Sequence, residues 1–411
     1  MKNLIKKNVS SLKISSTLAI NEKTKELISQ GKKVYKFGFG QSPFPVPDKI
    51  VKKLKENAHK KDYLSTQGLP ELRDSLSIYL SQKTGTQYLK ENIIITPGSK
   101  EAMFLMHLAF KGEIIIPASS WVSYAPQARI ANNKIHWLQT KRENNWFPTV
   151  KELENKIKNI NKKNIILILN SPNNPSGAAC GNLKKIAEVV RKHKVLVLSD
   201  EIYSDLKFDG VYESISKYYP EGTLITGGLS KWCGAGGWRL GFFAFPKKLD
   251  NFLHSVKSLA SETFSSVNTP TQYAAVEAYS GNYEDYKSKT LIILKYLGGY
   301  VYKKLSSNKV IINPPEGGFY IMPEFINKKY KTSSEMCEAL LKETGVALLP
   351  GSDFGFNKKK MLARLSFTDF DGKIFLENIS ITSKLDDAII EKFAPNVVEG
   401  VRKLSIWAKN L

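Results

Sequence analysis

The chain has 411 residues, of which 42% are hydrophobic and 24% charged, a balance typical of a globular protein with enough core for two domains. Lysine and arginine outnumber aspartate and glutamate by 61 to 38, but no basic stretch interleaves regularly with aromatics, which argues against nucleic-acid binding as the main role. Cys180, Cys233 and Cys337 form no CxxC motif and no apolar run reaches membrane length, so we expect a cytoplasmic protein with no disulfide framework, metal site or membrane association.

Short apolar runs alternate with amphipathic stretches through the middle of the chain. Runs this short and free of polar residues are typical of strands buried on both faces of a sheet. The predicted strands contain residues 93–95, 114–116, 165–169, 195–198, 224–226 and 240–245. Helix candidates lie between them, notably residues 99–110 and 182–192, so the pattern predicts an α/β sheet covered by helices.

A long periodic segment without proline, from residue 282 to about residue 308, predicts one helix that leaves the sheet. The sequence after it mixes helix and strand patterns, which indicates a second, smaller domain. Residues 38–47 are rich in glycine and proline and predict a crossing loop, so we expect the first ~40 residues to pack with that second domain. The predicted division is a large domain over residues 45–285 and a small domain formed by residues 1–44 and 286–411.

Residues able to carry chemistry follow several predicted strand ends, at positions 96–99, 170–175 and 199–200. The carboxyl ends of strands in an α/β sheet are where ligands bind. Gly98 and Ser99 open a predicted helix, whose free N–H groups and positive dipole end suit a phosphate. A plain helix N-cap explains the Gly-Ser pair equally well by itself.

A glycine-rich segment, residues 228–241, contains Lys231 and Arg239. A lysine with a neutral amine can form a Schiff base with an aldehyde cofactor. Asp200 closes an apolar strand, where a carboxylate is costly to bury unless it faces a cation such as a protonated pyridine nitrogen. Tyr203 would lie on the same side, and Arg239 offers a guanidinium for bidentate phosphate binding. Together these side chains predict pyridoxal 5'-phosphate as the cofactor.

The motifs in this order resemble the class I/II aminotransferase family, the fold type I pyridoxal phosphate-dependent enzymes that include aspartate aminotransferase, over nearly the full length. The matching segments are Gly40 with Pro43, Tyr63 with Gly68 and residues 71–73, residues 96–100, Trp121, and residues 171–177, 200–203, 230–241, 317–320 and Arg364. The resemblance implies a large domain with a mainly parallel sheet flanked by helices and a smaller α+β domain. It also implies an enzyme that exchanges an amino group between an L-amino acid and a 2-oxo acid, through a Lys231 Schiff base and pyridoxamine phosphate.

The resemblance implies catalytic roles for Lys231, Asp200 and Tyr203, with Lys231 moving a proton from the substrate α carbon to the cofactor. Trp121 would stack on the pyridine ring, and Asn174 would share the cofactor's phenolic oxygen with Tyr203. The implied cofactor-binding set is Tyr63, Ser99, Lys100, Trp121, Asn174, Asp200, Tyr203, Ser230, Lys231 and Arg239. The family often has a serine where this chain has Gly228, so one phosphate hydrogen bond is either missing or taken by Ser230.

The resemblance also implies how the substrate and a second subunit are bound. Arg364 would hold the substrate α-carboxylate, with Gly40 and Asn174 completing the substrate-binding set. Gly40 would bring a backbone N–H close to that carboxylate, which requires the absence of a side chain. Tyr63 resembles the tyrosine that reaches the phosphate in the neighbouring subunit, so a homodimer with shared active sites is implied.

Two questions stay open. Carbon–sulfur β-lyases share this fold and cofactor site, so a lyase is the alternative function. For the substrate side chain, Lys100 could face the distal carboxylate of aspartate or glutamate, or it could be a solvated lysine in the first helical turn. Phe39, Trp121 and Tyr124 could instead line a pocket for aromatic or thioether side chains.

Overall fold

The computed structural model describes residues 4–161, 163–383 and 385–411. The α-helices of these residues are α1 (Lys7–Ser10), α2 (Ser16–Ser29), α3 (Asp48–Asn57), α4 (Pro70–Thr84), α5 (Ser99–Ala109), α6 (Tyr124–Ile130), α7 (Val150–Lys158), α8 (Leu183–Lys192), α9 (Asp250–Thr263), α10 (Thr269–Ser280), α11 (Glu284–Leu305), α12 (Ser333–Thr344), α13 (Gly372–Glu377), α14 (Asp387–Phe393) and α15 (Pro395–Lys409). The strands are β1 (Ile93–Thr96), β2 (Glu113–Pro117), β3 (Lys134–Leu138), β4 (Ile165–Asn170), β5 (Leu196–Asp200), β6 (Thr223–Gly228), β7 (Gly241–Ala244), β8 (Val310–Ile311), β9 (Tyr320–Ile321), β10 (Glu324–Phe325), β11 (Leu349–Pro350) and β12 (Ala363–Ser366).

Seven strands form the central sheet in the order β1-β7-β6-β5-β4-β2-β3. Only β7 runs antiparallel to its neighbours, β1 and β6, and the other pairings are parallel. Every residue of β1, β2, β4, β6 and β7 is buried, as expected for a sheet covered on both faces. The predicted mainly parallel sheet flanked by helices is therefore confirmed.

The edge strand β3 was not among the predicted strands. Its sequence, Lys-Ile-His-Trp-Leu, has no continuous apolar run, because four of its five residues are partly or fully exposed at the sheet edge. The inner strands, in contrast, are covered by helices. Met103 and Leu105 of α5, for example, pack in one hydrophobic cluster with Ile94 of β1 and Phe243 of β7. The inner strands were therefore predictable as apolar runs because both of their faces are buried, whereas the edge strand β3 was not.

The rest of the chain forms smaller sheets, β11-β12-β9 and β10-β8, surrounded by helices. Helix α11 confirms the predicted long helix. Part of the N-terminal segment packs with the C-terminal part, since Tyr35 forms a parallel bridge to Val346. Helix α1 instead contacts α6, and Asn8 donates a hydrogen bond to the Ile130 carbonyl. The division at residues 44 and 286 stays a prediction, and its small-domain ranges include residues 1–3 and 384, which lie outside the described residues.

Across the described ranges, no helix is both long and apolar enough to cross a lipid bilayer. The same residues contain no group of histidine, cysteine and acidic side chains arranged to hold a metal ion. Cys180, Cys233 and Cys337 are buried free thiols.

Candidate active site

A cavity of 470 Å³ lies at the carboxyl ends of the central strands. Register places Asn170 at the end of β4 directly beside Asp200 at the end of β5, and the loops that follow the neighbouring strands converge there. The predicted site residues that line this cavity are Gly40, Ser99, Lys100, Trp121, Asn174, Asp200, Tyr203, Ser230, Lys231, Arg239 and Arg364. Tyr63 does not line it, and its side chain is 88% exposed.

At one end of the cavity, the start of α5 meets an arginine. Gly98 has φ of 83°, and a Cβ there would collide with the Arg239 guanidinium, so only glycine allows this approach. Arg239 donates hydrogen bonds to the carbonyls of Pro97 at 3.1 Å and Gly236 at 2.9 Å. The guanidinium forms no ion pair with an acidic side chain of the described residues, so this end of the cavity can bind an anion.

Lys100, in the first turn of α5, adds a second positive charge to the same end. Its Nζ lies 5.0 Å from the centre of the Trp121 ring, a cation–π distance. Burial lowers the pKa of Lys100, and the nearby charges of Arg239 and Lys231 lower it further. Three cations therefore face one cavity, and an anion bound among them would relieve their repulsion.

Asp200 also lines the cavity, with its side chain almost fully buried. The Tyr124 hydroxyl donates a hydrogen bond of 2.6 Å to its carboxylate. Burial raises the pKa of Asp200 to about 6, against the opposing effects of Tyr124, the Ile202 N–H and Lys231. No lysine or arginine in the described part of the chain forms an ion pair with it. A cation placed here would favour the ionised carboxylate.

The Lys231 amine and the Tyr203 phenol each have a hydrogen-bond partner in the cavity wall. The Lys231 amine donates to the Gly40 carbonyl at 3.0 Å, and Asn174 Nδ2 lies 3.4 Å from the Tyr203 hydroxyl. A Cβ on Gly40 would collide with the Tyr320 hydroxyl. Glycine is thus required at position 40 to make room for Tyr320, a steric reason that the sequence did not suggest.

Arg364 lies in β12, on the side of the cavity formed by the C-terminal part, and is fully buried. It donates to Asn174 Oδ1 at 3.0 Å and to the Gly38 carbonyl at 2.6 Å. Its guanidinium stacks on the Tyr320 ring, 4.6 Å from the ring centre. No carboxylate of residues 4–161, 163–383 or 385–411 forms an ion pair with it. A buried cation without an acidic partner is a suitable site for an anionic ligand.

Sequence reasoning missed three features of this cavity. Tyr124 was considered only as a pocket aromatic, whereas its hydroxyl binds Asp200. Tyr320 was part of a matching motif without a role, and Ser15, Thr17 and Leu18 were not considered although they also line the cavity. The position of Tyr124, three residues after Trp121 at the start of α6, was the one local signal. The contacts of Tyr320 join residues far apart in the chain.

Comparison with known proteins identifies the family. The family model described as aminotransferase class I and II matches residues 32–376. An aspartate aminotransferase of Geobacillus stearothermophilus is 34% identical over 365 residues, covering 85% of this chain and 91% of that protein. An asparagine–oxo-acid transaminase of Streptococcus mutans is 31% identical over 368 residues, covering 85% and 92%.

The fold of the chain is also similar to that of solved aminotransferase structures. The structure of aspartate aminotransferase from Thermus thermophilus with maleate superposes with a TM-score of 0.84 at 25% identity, covering 99% of this chain and all of that one. The family match, the relatives and the shared fold agree with the cavity described above. The chain therefore belongs to the class I and II aminotransferases, a family of pyridoxal phosphate-dependent enzymes.

Proposed function

We propose that the cavity binds pyridoxal 5'-phosphate and that Lys231, Asp200 and Tyr203 use it to move an amino group between an L-amino acid and a 2-oxo acid. The observation that supports this most strongly is a pair of buried, opposite charges that lack ion-pair partners. Among the described residues, Asp200 is a buried carboxylate that forms no ion pair, with Lys231 acting on it only from beyond ion-pair distance. Arg364 is a buried cation that forms no ion pair among the same residues, with Asp353 acting on it only from beyond that distance. Lys231 lies on the cavity wall with both.

The side chains fit the cofactor on chemical grounds. Ser99, Ser230 and Arg239 would hold its phosphate, Asp200 its pyridine nitrogen, and Trp121 the face of its ring. When bound, the cofactor supplies an electron sink that stabilises negative charge on the substrate α carbon. This fit depends on the cationic end of the cavity and on a carboxylate whose pKa is raised by burial, so that a cation bound beside it would favour its ionised form.

The reaction then requires three actions from the chain itself. Arg364 binds the substrate carboxylate through its remaining N–H groups, since two of its five are used by Asn174 and Gly38. Holding the carboxylate fixes the orientation of the α C–H bond, which selects the bond that breaks. Lys231 accepts the α proton and returns it to the cofactor, as a general base and then a general acid.

A single-turnover experiment tests this function. The protein loaded with pyridoxal phosphate is mixed with an amino acid alone, and the products are quantified. We expect one equivalent of pyridoxamine phosphate and of 2-oxo acid per active site, without catalytic release of ammonia. Continuous ammonia release would instead identify a carbon–sulfur lyase, which no observation on this chain favours.

Arg364→Lys is expected to raise the KM for every amino acid by a similar factor, about tenfold to a hundredfold. The α-carboxylate is common to all substrates, and lysine keeps the charge but loses the fork geometry of arginine. Steady-state kinetics with aspartate, alanine and phenylalanine measure this effect. If KM rose for only one of these substrates, Arg364 would bind the substrate side chain and not the α-carboxylate.

We further propose that the substrate is a dicarboxylic amino acid and that Lys100 binds its distal carboxylate. The cationic Nζ of Lys100 is held over Trp121 on the cavity wall, and several relatives are named aspartate aminotransferases. Phe39, Trp121 and Tyr124 would favour aromatic or thioether side chains if the lysine faced elsewhere. A panel of amino acids with 2-oxoglutarate and with pyruvate compares the two classes.

Lys100→Ala is expected to lower kcat/KM for aspartate and glutamate. The loss should correspond to about 1–3 kcal/mol of transition-state binding, the contribution of a hydrogen bond to a charged group. Phenylalanine and methionine serve as internal controls and should change little, since they offer no distal carboxylate. Parallel measurements of kcat/KM for the four amino acids provide the comparison. Equal losses on all four would mean that Lys100 supports the cofactor phosphate or the fold.

We also propose a homodimer, in which Tyr63 contributes to the active site of the partner subunit. Its phenol is almost completely exposed and lies outside its own cavity, so it is free to contact a second chain. The buried free thiols agree with a reducing compartment such as the cytoplasm. Sedimentation equilibrium of the purified protein measures the oligomeric state directly.

A further inference from the structure

Tyr320 is a cavity residue without an assigned role, although its side chain contacts both parts of the site. Its hydroxyl lies 3.1 Å from the Tyr203 hydroxyl and 3.4 Å from the Gly40 carbonyl. Its ring lies beneath the Arg364 guanidinium, because β9 and β12 are neighbouring strands. Tyr320 is only 1% exposed. One buried phenol thus connects the proposed carboxylate-binding arginine with the proposed cofactor-binding phenol.

The direction of the hydrogen bond between the two phenols follows from proton counting. Each tyrosine hydroxyl has one proton to donate and can accept from another donor. If Tyr203 donates its proton to the cofactor's phenolic oxygen, Tyr320 must be the donor between the two phenols. The alternative acceptor for Tyr320 is the Gly40 carbonyl, which is farther away, at 3.4 Å against 3.1 Å for the Tyr203 hydroxyl.

Asn174 forms a parallel connection, since it accepts from Arg364 and lies 3.4 Å from the Tyr203 hydroxyl. The phenol–phenol contact is shorter by 0.3 Å, the difference between 3.4 and 3.1 Å. A hydrogen bond received by Tyr203 polarises its own O–H and makes it a stronger donor. The packing of Gly40 against the Tyr320 hydroxyl restricts where that hydroxyl can move.

We infer that Tyr320 is a positioning residue of the transamination site: its hydroxyl holds the Tyr203 hydroxyl as a donor to the cofactor's phenolic oxygen. This inference rests on the proposed function. Tyr320 acts through Tyr203 and does not take part in proton transfer. Its ring supports Arg364 separately, so the hydroxyl and the ring can be tested independently.

The test is a pH titration of the visible absorption band of the protein loaded with pyridoxal phosphate, in Tyr320→Phe. Phenylalanine keeps the ring beneath Arg364 and removes only the hydroxyl. A hydrogen bond from Tyr203 stabilises negative charge on the phenolic oxygen and makes the nitrogen contributed by Lys231 less basic. Weakening it should raise the titration midpoint by about 0.5–1 pH unit, the range of one neutral hydrogen bond. The KM for amino acids should change less than threefold, because the substrate carboxylate site is retained.

Three further variants separate this role from a structural one. Tyr88→Phe is the matched control: Tyr88 is equally buried, its hydroxyl donates to the Thr223 carbonyl at 2.9 Å, and it lies outside the cavity. It should leave the midpoint unchanged. Tyr320→3-fluorotyrosine keeps a hydroxyl that is a stronger donor and should lower the midpoint. In Tyr203→Phe, adding Tyr320→Phe should produce no further shift, since the two act as one unit.

An unchanged midpoint in Tyr320→Phe, with a shifted midpoint in Tyr203→Phe, would overturn the inference and leave the proposed function intact. Additive shifts in the double variant would also overturn it, because Tyr320 would then act without Tyr203. If Tyr320→Phe did not fold, the 3-fluorotyrosine variant would decide, and a midpoint that does not fall would count against the inference. Absence of any visible band in the wild-type protein with pyridoxal phosphate would instead contradict the proposed function.

Discussion

Lys231→Ala is expected to reduce amino-group transfer by at least about 10⁴-fold, the upper range for removal of a positioned acid–base group. Alanine removes both the amine that holds the cofactor and the base that accepts the α proton. The measurement is a stopped-flow half-reaction with excess amino acid. A small amine such as methylamine, added in solution, should restore part of the activity, because it can enter the cavity and accept the proton.

Lys231→Arg is the matched control for charge. Arginine can keep a donor near the Gly40 carbonyl, but its guanidinium does not lose a proton in a protein. We expect it to be about as inactive as the alanine variant. An arginine variant within tenfold of the wild-type rate would show that position 231 contributes charge only, and that the base is a different group.

Asp200→Asn is expected to slow proton abstraction by more than a hundredfold while the cofactor stays bound. A neutral amide cannot stabilise a protonated pyridine nitrogen, so the ring becomes a poorer electron sink. Breaking a buried ion pair costs about 3–5 kcal/mol, which exceeds a hundredfold if it is expressed in the transition state. The rate of the half-reaction and the cofactor content of the purified variant are measured together.

Tyr124→Phe separates the charge of Asp200 from its hydrogen bond. This variant leaves the carboxylate in place and removes only the 2.6 Å bond from Tyr124, so the loss should be about tenfold to a hundredfold, the range of one hydrogen bond to a charged group, and smaller than that of Asp200→Asn. An Asp200→Asn rate within tenfold of wild type would contradict the role of the carboxylate. Equal losses in both variants would assign the effect to orientation of Asp200 and not to its charge.

The fold was largely predictable because the inner strands are buried on both faces. Residues such as those of β4, Ile-Ile-Leu-Ile-Leu-Asn, cannot alternate with polar residues when both sides are covered, so each strand is visible as a short apolar run. The edge strand β3 lacks this constraint, and its polar residues, the exposed Lys134 and the partly exposed His136, interrupt the apolar pattern. The burial of a strand, and not its strand propensity, therefore determined whether it could be predicted from the sequence.

The candidate site was predictable where each residue follows a strand end or a family motif. Asp200, Asn174 and Lys231 belong to such segments, and they line the cavity together. The contacts between them were not predictable. The bonds from Tyr320 to Tyr203 and from Arg364 to Gly38 join residues 117 and 326 positions apart, and no local pattern specifies such pairs.

The most direct test of the account is the site at which the protein binds its cofactor covalently. Wild-type protein is incubated with pyridoxal phosphate, reduced with borohydride, digested and mapped by mass spectrometry. We expect one reduced cofactor per chain, attached to Lys231, and none in Lys231→Ala. Attachment to another lysine such as Lys100, or no attachment at all, would contradict the assignment of the active site.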